Sequence, residues 1–116
     1  MDGNPAEPEK GYTKIENELL KALIVCPLTM AELKILLLVI RNTAGWGREK
    51  TFLSYGKISK ITGLDERHAK RVVEKLCVTR ILFKEKHKRK NVFSLNGGYP
   101  QWRLWIIQKG VAYKTP

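Results

Sequence analysis

Acidic residues are scarce in this chain. Its 116 residues carry 11 Asp and Glu against 22 Lys and Arg, for a formal net charge of +11, and the pI is near 9.9. That imbalance points to a polyanionic partner, nucleic acid first and an anionic membrane surface second. Long apolar runs are also missing. The longest, Ile35–Ile40, falls far short of the roughly 18 residues that a membrane span needs. There are only two cysteines and two histidines. Cys26 and Cys77 lie far apart in apolar helical contexts and read as reduced core thiols. With His68 and His87 they form no familiar metal-ligand spacing, so no metal or cofactor is expected. There are no paired acids in an apolar setting, no nucleophile beside a base and no phosphate loop, so the chain is not expected to be an enzyme. The glycines on either side of Trp46 lack the preceding strand and the spacing of a dinucleotide fingerprint. Residues 1–11 lack the apolar core of a targeting signal and hold two prolines and two glycines. They read as a disordered leader.

What is present is the patterning of one small globular domain, with a 43% hydrophobic share that is ordinary for its class. Thr13 and Glu16 have the spacing of a capping box, and a first helix is expected to follow with Ile15, Leu19, Leu20, Leu23 and Ile24 inward until Pro27 stops it. Thr29 and Glu32 repeat the signature. They open a second helix running to about Thr43, with Leu33, Leu36, Leu37 and Ile40 at helical spacing. Ile35, Leu38 and Val39 widen its apolar surface, which marks it as the central helix. Trp46, in the turn that follows, either covers the core edge or stacks on a ligand. Residues 51–53 have the character of a short strand.

The stretch from Ser54 to Leu76 is the most informative. A short segment with Ile58 and Ile61 inward stops at Gly63, and Asp65 is a good N-cap for a longer helix. Ala69, Val72, Val73, Leu76 and Cys77 form its buried stripe. The outer face holds Glu66, Arg67, His68, Lys70, Arg71, Glu74 and Lys75. Two helices joined by a glycine turn with solvated charges outside are common in small proteins. They also have the shape of a helix-turn-helix. Beyond Cys77, Ile81, Phe83 and Glu85 alternate against Leu82 and Lys84, and Val92–Leu95 is β-prone, so a hairpin with a basic loop is expected. Arg80 to Lys90 holds six Lys or Arg and one Glu. Such a run is either a solvated loop or, directly after a basic helix, a phosphate-contacting wing, and the second reading is favoured. Trp102, Trp105 and Ile106 continue at helical spacing and either pack back on the domain or offer an aromatic patch. The fold class is therefore mainly α with a small β-hairpin, a winged helix-turn-helix spanning residues 12–109, with a tail at 110–116.

These residues resemble the N-terminal DNA-binding domain of the lambda-type phage replication protein O family, the origin-binding initiators. The matching pieces begin with the block from Gly11 to Leu20. They continue with Leu28, Thr29, Glu32 and Leu33, then Ile40 to Thr43 with Gly45 and Trp46, then Leu53, Ser54, Ile61 to Leu64, Arg67 and His68. They end at Asn96, Tyr99 and Trp102. The resemblance implies a winged helix that binds repeated sites in a phage or prophage replication origin, usually as a homodimer, in the cytoplasm of a bacterial host at the nucleoid. In that family a C-terminal part engages the helicase-loading machinery. This chain stops about where that part would begin, so helicase loaders are expected partners only if a C-terminal part exists beyond it. A transcriptional regulator of the same fold is the alternative. The expected partner is double-stranded DNA, with no membrane. Base edges would be read by Arg67, His68 and Arg71, since a guanidinium can donate two bonds to guanine. Phosphates would be held by Lys70, Lys75, Lys86, Lys88, Arg89 and Lys90, and by Tyr55 or Ser54. Ser54 serves equally well as a helix cap.

Overall fold

Thr29 opens the helix around which the molecule is built. Its hydroxyl accepts from the Glu32 amide at 3.1 Å, and the Glu32 carboxylate accepts from the Thr29 amide at 2.8 Å. This is the expected reciprocal box. The computed structural model describes residues 11–44, 47–99 and 102. The leader before Gly11, Trp46, the segment with Trp105 and Ile106, and the tail lie outside the described residues. Among the described residues the elements are α1 (Asn17–Val25), α2 (Met30–Thr43), β1 (Thr51–Phe52), α3 (Tyr55–Thr62), α4 (Glu66–Val78), β2 (Leu82–His87) and β3 (Lys90–Leu95). The strands form an antiparallel sheet in the order β1-β3-β2. No helix among them is long and apolar enough to cross a membrane.

Helix α2 is the centre. It packs against α3, α4, β1 and β3, and Ile35, Leu36, Leu38, Val39 and Ile40 are all buried. A helix contacted on several sides needs a wider apolar surface than one stripe, as its sequence suggested. Ile58 of α3, Ala69, Val73 and Leu76 of α4, and Phe93 of β3 meet it in the core. Trp102 closes the far side. It is fully buried, its indole N–H donates to the Asn96 carbonyl at 3.0 Å, and Tyr99 meets it edge-on at 5.5 Å.

Three sequence expectations change, the simplest being that Ile61 of α3 is 53% exposed while Ile58 alone of that pair is buried. Helix α1 begins after Glu16, which is extended and makes no side-chain cap, so the Thr13 box does not form. Ile15 packs against the core from the segment before the helix. Within α1 it is Leu19 and Ala22 that are buried, while Leu20 and Ile24 face solvent. The hairpin alternation also shifts by one residue. Ile81 does not belong to the strand. Its amide donates to the Leu76 carbonyl and that of Arg80 to the Cys77 carbonyl, which closes α4 in a Schellman turn with left-handed Arg80 (φ 63°) where glycine is usual. Strand alternation therefore starts at Leu82. Leu82 is buried and Phe83 is 45% exposed.

The connections between α3 and α4 follow their local sequence. Ser54 caps α3 by accepting from the Lys57 amide at 3.0 Å. Gly63 ends it at φ 80°, a left-handed conformation that glycine adopts at little cost. Asp65 then caps α4, accepting from the Arg67 and His68 amides at 3.1 and 3.3 Å. Two opposite effects are expected in urea unfolding. Gly63→Ala should lower stability by about 1–2 kcal/mol, the cost of a β-carbon in the left-handed region. Arg80→Gly should raise stability by about 0.5–1 kcal/mol, because it relieves the same strain at the end of α4.

Candidate nucleic-acid interface

The buried stripe of α4 fixes what its other side presents. With Ala69, Val72, Val73 and Leu76 turned into the core, Glu66, Arg67, His68, Lys70, Arg71 and Glu74 are exposed. Arg67 and Arg71 stand one turn apart on the same face, since residues four apart are helix-surface neighbours.

The hairpin lies beside this helix. In the register of β2 and β3, Lys84 is opposite Phe93 and Lys86 is opposite Asn91. Opposed residues share a sheet face, so the two lysines project on the core side, beyond the core's edge. There the Lys84 ammonium donates to the Tyr55 hydroxyl at 3.1 Å and sits 5.7 Å from the ring centre. That hydrogen bond raises the Lys84 pKa, against the opposing effect of burial. The ammonium is thus held charged at the junction of hairpin and α3.

Two adjoining grooves result. One is bounded by Ser54, Tyr55 and Gly56 at the start of α3, by Glu66 of α4, and by Arg89, Lys90 and Asn91 of the hairpin. The other is bounded by Tyr55, Asp65, Glu66, Arg67 and Lys70. Tyr55 and Glu66 belong to both, so the hairpin tip and the first turns of α4 present one continuous surface. Acceptors are also present in it. The Glu66 carboxylate has no ion pair or hydrogen bond to any described residue. Asn91, only 9% exposed, has a side-chain oxygen without a donor.

The residues expected at the site from sequence do not all share this surface. Tyr55, Arg67, Lys70, Arg89, Lys90 and Ser54 line the grooves, and the Ser54 cap uses its oxygen as acceptor, which leaves the hydroxyl able to donate. His68, Arg71, Lys86 and Lys88 are exposed but line neither groove. The Lys90 ammonium rests 5.6 Å from the centre of the Phe52 ring. Lys75 sits in the last turn of α4, where its ammonium pairs with the buried Glu32 carboxylate at 3.3 Å. Lys84 and Asn91 are not evident from the sequence: alternation starting at Leu82 puts Lys84 on the core side, and Asn91 joins it only through its pairing with Lys86. The sequence marks Glu66 only as one of the charges on the outer face of α4. Among the described residues no cluster of His, Cys, Asp or Glu could hold a metal ion.

Helices around a central helix, and a small antiparallel sheet whose hairpin lies beside α4, define a mixed, strongly basic domain. The model of the family described as bacteriophage replication protein O matches residues 4–102, and the chain belongs to that family. Replication protein 15 of Enterobacteria phage phi80 is 26% identical over 102 residues, which covers 88% of this chain and 34% of that protein. Replication protein O of Escherichia phage lambda is 33% identical over 64 residues, covering 55% of this chain and 19% of that protein. The chain thus spans about a third or less of the length of these relatives. No solved structure matches it.

The hairpin turn yields a stability test. Lys88 and Arg89 have φ values of 50° and 71°, the two-residue turn that asparagine and glycine favour. Replacing them together as Lys88→Asn and Arg89→Gly should raise the thermal midpoint by about 4–8 °C per kcal/mol of strain relieved. Scanning calorimetry checks this.

Proposed function

We propose that this chain is a winged helix-turn-helix domain, spanning residues 12–109, that binds double-stranded DNA sequence-specifically at a phage or prophage replication origin. Family membership and a net charge of +11 support a role at DNA in replication. The observation that carries the reading is the juxtaposition of α4 and the hairpin. Arg67 and Arg71 face solvent on α4, and Arg89 of the tip shares a groove with Glu66 at the helix start. In this reading α3 and α4 are the helix-turn-helix and β2–β3 is the wing. The N-terminal half of α4 enters the major groove, with Arg67, His68 and Arg71 at base edges. Lys70, Lys84, Lys86, Lys88, Arg89 and Lys90 hold phosphates together with the Ser54 and Tyr55 hydroxyls, which sets register without reading sequence. Lys75 is excluded from that set because its ammonium neutralises Glu32. The activity is binding, with no catalytic step. Homodimers on repeated sites fit the same reading. Helicase-loading partners belong to it only where a C-terminal part extends beyond this chain.

Selecting bound fragments from random DNA and mapping the product to its genome tests the proposal. Iterated sites within a replication gene are the expected result. A single promoter site would instead indicate a transcriptional regulator, and salt-insensitive binding of protein with no competition by DNA would overturn the reading. If about six phosphates are contacted, affinity should fall roughly a thousandfold between 50 and 200 mM salt. Arg71→Ala should cost about 1–3 kcal/mol and relax preference at one base pair, whereas removing Lys88 and Arg89 should weaken all sequences alike and flatten the salt slope. Fluorescence anisotropy on matched and scrambled duplexes distinguishes the two outcomes.

A further inference from the structure

A carboxylate at the centre of a polyanion-binding surface is unfavourable unless it does something. Glu66 is the first residue of α4, and it lines both grooves of the surface described above. Facing phosphates, it would repel them at every sequence. Three features show that it is not consumed by the fold. Its carboxylate has no ion pair or hydrogen bond to any described residue, although Lys70 stands one turn further along the same helix. The cap of α4 is already supplied by Asp65, which takes the Arg67 and His68 amides. One carboxylate oxygen lies against the first turn of α3, 3.8 Å from where a β-carbon on Gly56 would stand. No hydrogen bond holds that oxygen there, so its acceptor positions stay open.

A second observation in the same groove points the same way. The Asn91 side-chain oxygen is buried there without a donor, and buried polar groups are rarely left unpaired. The groove therefore offers the exposed Glu66 carboxylate between cationic walls, with the unpaired Asn91 oxygen beneath its lining. A ligand that satisfies it carries negative charge at its margins and hydrogen-bond donors at its centre. The duplex has that distribution, with phosphates at the edges and exocyclic amines on the base edges of the major groove.

We infer that Glu66 is a specificity-determining residue that accepts a hydrogen bond from the N4 amine of a cytosine in the target site, and that it discriminates against bases presenting a carbonyl at that position. This rests on the DNA-binding reading above. A carboxylate accepts from cytosine but has no proton to donate to the O6 of guanine or the O4 of thymine, so the wrong base leaves two acceptors facing each other. The cationic groups supply affinity for any duplex, and Glu66 removes a share of it from non-cognate ones. The arrangement selects by penalty as well as by attraction.

The test compares native protein, Glu66→Gln and Glu66→Ala, each confirmed as folded by circular dichroism, on libraries of random duplex. Native protein should require a cytosine at one position. Glu66→Ala should lose that preference, by roughly tenfold in the affinity ratio, while binding unrelated duplex at least as tightly as native protein. Glu66→Gln should shift the same position towards adenine, because a carboxamide can pair with adenine N6 and N7. Preferences identical in all three proteins would overturn the inference, including the case in which the variants merely melt at lower temperature because the helix terminus has lost a favourable charge. Native protein that binds no duplex would overturn the DNA-binding reading itself, and salt-dependent binding with unchanged preferences would overturn only the role of Glu66.

Discussion

The orientation of α4 depends on one buried carboxylate. Glu32 is 2% exposed, and its two oxygens serve two elements. Oε1 closes the cap of its own helix by accepting from Thr29, and Oε2 reaches the Lys75 ammonium in the last turn of α4. A carboxylate so thoroughly removed from water is tolerable only when paired. The same pairing pins the end of α4 to the start of α2. The apolar stripe from Ala69 to Leu76 settles which side of α4 faces inward, and the Glu32–Lys75 contact limits how far the helix can slide along α2. Everything proposed for the exposed face of α4 assumes that this position is held.

The second fixed point is the Tyr55–Lys84 contact, which joins the first turn of α3 to the hairpin. The core already holds the hairpin through Leu82 and Phe93 and through the pairing of β3 with β1, and the contact fixes its exposed outer strand, β2, from Lys84 onward. The contact uses a charged donor and the polar end of an otherwise apolar ring. Three basic residues, Arg80, Lys88 and Arg89, adopt left-handed conformations that glycine or asparagine would adopt more readily. All three lie at the root or the tip of this ribbon. Side chains that carry positive charge occupy positions where backbone comfort favours none, which fits a ribbon shaped by what it contacts more than by its own stability.

Legibility followed the range of the interaction. The Thr29 box, the Asp65 cap, the Gly63 turn and the buried stripe of α4 are all local. Each depends on residues a few positions apart, and each formed as its spacing suggested. The Thr13 box has the same local signature and did not form, and a packed Ile15 lies just ahead of the helix instead. The strand alternation slipped by one because Ile81 was needed to close α4, and a helix end and a strand start cannot both claim it. For the site, the sequence put Arg67 and Arg71 on an outer face. It could not show that Lys75 would be taken by Glu32, because those residues meet only when α2 and α4 pack.

The sequence by itself determined the charge, the order of helices and hairpin, and the polarity of the two faces of α4, because composition and periodicity are properties of a chain taken a few residues at a time. Only the tertiary structure decided which cations remain available to a partner, and that the unpaired Glu66 carboxylate and the buried Asn91 oxygen share a groove with the hairpin tip. Those facts depend on residues far apart in the chain being brought within a few ångströms, and no local pattern encodes that distance.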